Sequence, residues 1–171
     1  SYSSVDARMR NIYHAWNRAA EIDCQALCLV NSDMAFSKNW LSNLEKHLTK
    51  NKIIVSRLIE SGKLPSGHYG VTKNFGRSPE TFRKEDFEVL AESIKQDLIM
   101  PGGLYMPCLI HRENFIKSEG YPIGNPIHNG RQVSGDWFFF NVTLEQLNIE
   151  HFTSMDSIIY HIQLGEGEEN E

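Results

Sequence analysis

The chain lacks the motifs that give an activity away. Its 171 residues contain no G-x-S-x-G, no P-loop and no G-x-G-x-x-G after a strand, which argues against a nucleophile-elbow hydrolase, a P-loop NTPase and a dinucleotide-binding enzyme. Seven histidines are present, but none shows a metal spacing such as H-E-x-x-H. There is no block of basic residues and the net charge is −5, so electrostatics speak against nucleic acid as a partner. No signal peptide and no apolar run long enough to span a bilayer occur. Cysteine is scarce and odd in number: Cys24, Cys28 and Cys108. The Cys24–Cys28 spacing makes no zinc knuckle, and both flank an apolar run, so they read as buried free thiols in a reducing, cytoplasmic compartment. Repeats, low-complexity tracts and linker composition are absent, which leaves residues 1–171 as one domain.

What is present belongs to a folded globule. Hydrophobic residues make up 40% and aromatics 11% of the chain, enough at this length for a sizeable core. Val5, Met9, Ile12, Tyr13, Trp16 and Ala20 recur at helical spacing, which predicts an amphipathic helix over 5–23. "ALCLVN" reads as a buried strand, Ser37 as the cap of a helix with Trp40, Leu41, Leu44 and Leu48 inward, and "IIVSRLI" as the next strand. A long Gly- and Pro-rich loop follows from Glu60. Ser78-Pro79 then opens a helix with Phe82, Leu90 and Ile94 inward. Further on come the turn "PGG", a strand "LYMPCLIHR", a short helix closed by Gly120, a loop from Tyr121, a helix "DWFFFNVTLEQL" capped by Ser134, and a strand "SIIYHIQL". Asn141-Val-Thr143 matches a glycosylation sequon inside that helix and reads as chance. The closing "EGEENE" reads as a frayed acidic tail. Alternating helices and strands predict an α/β sandwich with strands including Ala26–Val30, Ile53–Leu58, Leu104–Ile110 and Ser157–His161.

Three residues could carry chemistry. Asp33 follows directly on an apolar strand, where ligands of parallel sheets bind, and a carboxylate there suits a hard cation. The competing reading makes Asn31, Ser32 and Asp33 a polar turn. Asp136, at a helix start after Gly135, could serve as a general base, although Asp also favours a helix first turn for its dipole alone. Trp137 is the member of the Trp137-Phe138-Phe139-Phe140 run best placed to stack on a sugar ring. His161, in or at the end of a strand, could ligate a divalent metal or be a satisfied structural residue.

Taken in order, these segments resemble the family-two glycosyltransferases of GT-A fold. Arg10-Asn11 resembles the family's Arg-Asn pair and Asn31-Ser32-Asp33 its Asp-x-Asp motif. "GGLYMPCLIHRENFIKSEGYP" is similar to its sugar-side segment. "SGDWFFFNVTL" is similar to its Glu-Asp motif and "HIQLGEGE" to its late metal-ligand His. The resemblance covers nearly the whole chain. Asn31 replaces the first Asp, and Gly135 stands where Glu often precedes the base.

The resemblance implies a three-layer GT-A-like sandwich with a mixed central sheet, a portion of a domain whose nucleotide-binding strands lie upstream of Ser1. The exposed sheet edge would then be covered by that segment or by another chain. It implies inverting transfer of a sugar from a nucleotide-diphospho-sugar donor to a hydroxyl of a saccharide, lipid or protein acceptor. Asp33 and His161 would hold Mn²⁺ or Mg²⁺ and Asp136 would act as base. Asn31, Ser32, Gly102, Gly103, Arg131 and Trp137 would contact substrate. Two rival readings are a non-catalytic carbohydrate- or nucleotide-binding module or subunit, and a metal-dependent phosphohydrolase using Asp33 and Asp136.

Overall fold

The computed structural model describes residues 4–162 apart from Lys63 and Pro65. The acidic tail and the end of "SIIYHIQL" lie outside the described residues. The first helix, α1 (Ser4–Arg18), runs into a 3-10 turn at Ala19–Glu21. The strands are β1 (Ala26–Leu29), β2 (Met34–Phe36), β3 (Lys52–Glu60), β4 (Val71–Thr72), β5 (Ile99–Pro101), β6 (Cys108–His111), β7 (Ile127–His128), β8 (Arg131–Gln132) and β9 (Glu150–His161). Between them lie α2 (Trp40–Glu45), α3 (Lys84–Ile94), α4 (Arg112–Lys117) and α5 (Gly135–Phe138). A π-helical stretch, Phe139–Thr143, joins α5 to α6 (Leu144–Gln146).

The main sheet is mixed, in the order β1-β6-β3-β9-β2, with β4 added beside β3 and β5 beside β9. β6 is antiparallel to both β1 and β3, and β3 is parallel to β9. β1, β3 and β9 therefore run the same way, and their carboxyl ends meet along one edge of the sheet. Among the described residues, β1 has β6 on one side and no strand on the other.

Period-two alternation sorts the side chains into layers. Leu27, Leu29, Ile53, Val55, Cys108 and Ile110 pack beneath Tyr13 of α1, Phe115 of α4 and Phe139 and Phe140. Their neighbours in sequence, Ile54, Leu109, Ala26 and Cys28, face the other way onto Leu44 and Trp40. Fully burying each large apolar side chain stabilises the fold by about 1.5–3 kcal/mol. A third cluster joins Ile59, Ile158 and Tyr160 to Phe87 and Ala91 of α3.

Several expected details differ. Residues Met34–Phe36 form a strand rather than a turn into a helix, because they continue the β9 ladder. Ser37 does not cap: Asn39 occupies that place with φ of 63° and no side-chain cap bond, and α2 stops at Glu45. Leu41 is exposed. α3 begins at Lys84, because Ser78 and Thr81 close a local hydrogen-bonded turn ahead of it. Ser134 precedes α5 without a side-chain cap bond. Cys24 is exposed and Cys28 half-buried; Cys108 alone is buried.

Candidate functional site

Three parallel strands deliver three titratable groups to one edge. Asp33 follows β1, Glu60 is the last residue of β3, and His161 is the last of β9. The β2–β9 ladder pairs Met34 with His161, and the Ile162 N–H donates to the Asp33 carbonyl at 2.8 Å. Those bonds carry Asp33 to His161 across 128 sequence positions: His161 Nε2 lies 3.1 Å from Asp33 Oδ2. On the other side of the ring, His161 Nδ1 lies 3.1 Å from Glu60 Oε1. Burial pulls the imidazole down, but its hydrogen bonds to Asp33 and Glu60, together with their charges, outweigh burial and push it up to about 10.

The donor set fits a divalent ion. Carboxylate oxygen and imidazole nitrogen are ordinary ligands for Mn²⁺. Adjacent ligand atoms on an octahedral ion with bonds of roughly 2.1 Å stand about 3 Å apart, which matches the 3.1 Å between Nε2 and Oδ2.

A second group could also hold a metal ion: ligand atoms of His47, Asp97 and Asp156 lie within 4.8 Å of one another. Lys46 already takes a cation's place there. Its Nζ lies 2.5 Å from Asp97 Oδ1 and donates to the buried Asp156 carboxylate. Hydrogen bonds to Asp156 and then Asp97 raise the ammonium above its ordinary value.

Asp136 lies on the α1 side of the sheet, against Tyr13. Its N–H donates to the Tyr13 hydroxyl at 3.2 Å and its Oδ1 accepts the Trp137 N–H at 2.8 Å. It is half-buried, and among the described residues no Lys or Arg pairs with it. Burial, then the Asp136 charge, pushes Tyr13 up to about 12, so the phenol stays protonated. Met34, next to Asp33, packs against the cluster that contains Tyr13 and Phe139. The described hydrogen bonds of Asp136 thus run to Tyr13 and Trp137.

Gly135 has a steric cause. A Cβ there would come 2.6 Å from the Tyr13 ring and 2.9 Å from the Gly124 carbonyl oxygen, so a glutamate cannot stand before Asp136 in this packing. Trp137 is half-buried beside His128, with ring centroids 5.6 Å apart. Arg131 is exposed on the β7–β8 hairpin. Asn31 is half-buried and Ser32 exposed between β1 and β2.

Gly102 and Gly103 lie elsewhere. The Gly102 N–H donates to His151 O, and its carbonyl accepts from Thr153 Oγ1, which sets the turn at the amino end of β9, far along the strand from His161. Both glycines have positive φ, 74° and 125°, and at Gly103 a Cβ would meet Thr153 Oγ1 at 1.9 Å.

Sequence reasoning missed Glu60 and read it as the start of a loop. One signal was available: like Asp33, it is a carboxylate closing an apolar run that ends in a parallel sheet. No helix of the described residues is long and apolar enough to cross a membrane. No protein-family model and no curated protein matches the chain.

Proposed function

We propose that the protein is a GT-A-like glycosyltransferase that moves a sugar from a nucleotide-diphospho-sugar to an acceptor hydroxyl with inversion. The observation that carries this reading is the convergence of Asp33 and His161, 3.1 Å apart, at the carboxyl edge of three parallel strands, where α/β sheets bind ligands. Asp33 Oδ2 and His161 Nε2 would hold Mn²⁺ or Mg²⁺, with Mn²⁺ favoured by the nitrogen ligand. The ion would neutralise charge on the departing diphosphate. Asp136 takes the acceptor hydroxyl proton as the acceptor oxygen bonds to the anomeric carbon. The bond from that carbon to the diphosphate breaks on the opposite side, and the electron pair leaves with the nucleotide. Trp137 and Arg131, near Asp136 in sequence and on the adjoining hairpin, suit sugar stacking and phosphate pairing. The position of Gly102 and Gly103 at the other end of β9 does not support a donor-holding role for them.

The test uses the intact natural protein with nucleotide-sugar donors, with and without Mn²⁺. Metal-dependent donor turnover that Asp33→Asn abolishes is expected. Asp136→Asn should lower kcat roughly 10²–10⁴-fold, the usual range for a general base, while donor binding changes little. Near-normal turnover by Asp136→Asn removes Asp136 from the mechanism. Donor binding without turnover identifies a binding module, and cleavage of simple phosphoesters a phosphohydrolase.

A further inference from the structure

The two ring nitrogens of His161 face different surroundings. Nε2 points to Asp33, whose side chain is 30% exposed, whereas Nδ1 points to Glu60, whose side chain is 4% exposed. Glu60 is fixed from both flanks. In the sheet it pairs with His161 of β9 on one side and Thr72 of β4 on the other, and its carbonyl accepts the Lys73 N–H at 2.9 Å. A carboxylate oxygen is an acceptor and a ring N–H a donor, so the 3.1 Å contact suits an Nδ1–H donating to Glu60 Oε1. Burying a carboxylate is costly unless it is paired and hydrogen-bonded. One of its partners here is the imidazole whose outer nitrogen adjoins Asp33.

We propose that Glu60 is a positioning residue for a divalent-cation site: it holds the proton on His161 Nδ1, fixes the ring plane, and leaves Nε2 as the nitrogen offered to the ion beside Asp33. The proposal rests on the reading that Asp33 and His161 hold the ion. Metal-bound histidines are commonly oriented by a carboxylate on the far nitrogen, and losing that partner typically weakens metal binding 10–100-fold. Glu60 thus touches neither the ion nor the substrate, and it acts through His161.

Mn²⁺ titration of the whole chain tests this, followed by the metal's electron paramagnetic signal. The wild-type chain should bind, Asp33→Asn should lose binding, and Glu60→Gln should bind 10–100-fold more weakly with its far-ultraviolet circular dichroism unchanged. Glu60→Gln binding within about twofold of wild type would overturn the positioning role while leaving the metal centre intact. Should Glu60→Gln fail to fold, the wild-type chain still decides. In ¹⁵N-histidine NMR with Zn²⁺ as a diamagnetic probe, the His161 Nε2 resonance should move while Nδ1 keeps its proton. Coordination at Nδ1 overturns the proposal. Absence of Mn²⁺ binding in the wild type, or binding indifferent to Asp33→Asn, overturns the metal centre and the role of Glu60 together. Those two failures are read before any Glu60 variant is made.

Discussion

Mild acid should destabilise this fold through one half-buried imidazole. His151 packs against Phe140 and Tyr105, with ring centroids 4.7 and 6.1 Å away. Its Nε2–H donates to the Leu104 carbonyl at 3.1 Å, which fixes the neutral tautomer. Burial pushes the ring down from 6.5 to about 4, and the Leu104 carbonyl opposes this only in part. A folded value below the unfolded one means that the unfolded chain takes the proton first. Stability is therefore complete above about pH 6.5 and falls as pH drops towards about 4. One proton corresponds to about 1.4 kcal/mol per pH unit, so over the interval from 6.5 to about 4 the loss reaches roughly 3 kcal/mol. Urea unfolding followed by tryptophan fluorescence at about pH 7 and about pH 5 measures it. The wild type should lose about 2 kcal/mol from this group between those conditions. His151→Gln keeps an N–H near the Leu104 carbonyl and removes the titration, so its loss should be smaller by that amount. The variant curve will not be flat, because burial also lowers His47. Equal acid losses in wild type and His151→Gln would refute the reasoning.

Two further substitutions probe packing and charge. Gly135→Ala should cost about 1–3 kcal/mol, the range for overpacking, because its Cβ would meet the Tyr13 ring at 2.6 Å; an unchanged melting temperature would show that the ring yields freely. Lys46→Ala should lower the unfolding free energy measured by urea titration by about 1–3 kcal/mol, the cost of an unsatisfied buried group, since the Asp156 carboxylate loses its ammonium. Lys46→Arg should restore most of that loss, and failure of both effects would show that water replaces the ammonium.

The legible parts of the fold were those with a long pattern. Ile53 to Ile59 and the helical repeat through Tyr13 and Trp16 announce their elements by periodicity alone, and the structure has β3 and α1 there. β2, β4 and β5 have two or three residues each; elements so short have no measurable period and exist because a longer strand lies beside them. β9 begins at Glu150, well before the expected Ser157, because His151 to Met155 alternate too irregularly to read as strand. Asp33 and His161 were visible as single residues at strand ends. Glu60 was not, because its burial depends on His161, and a pairing 101 positions long leaves no local trace. The π-helical turn at Phe139–Thr143 is likewise tertiary: it turns Phe139 and Phe140 into the core while Trp137 and Phe138 stay half-buried.

The register of β3 against β9 jumps between Ser56 and Arg57: Ser56 pairs with Ser154, but Arg57 pairs with Ile158. Met155, Asp156 and Ser157 thus have no partner on β3. Strand faces alternate every residue, so this extra length sets which face every residue from Ile158 to His161 presents. Removing all three residues would leave the downstream pairing to Glu60 in phase, whereas removing one would turn the His161 ring to the opposite face and removing two would keep its face but displace it along the strand. The excursion is therefore a heritable length constraint: substitutions there can be judged by local packing, but a single-residue deletion acts at a distance on the edge where the strands end.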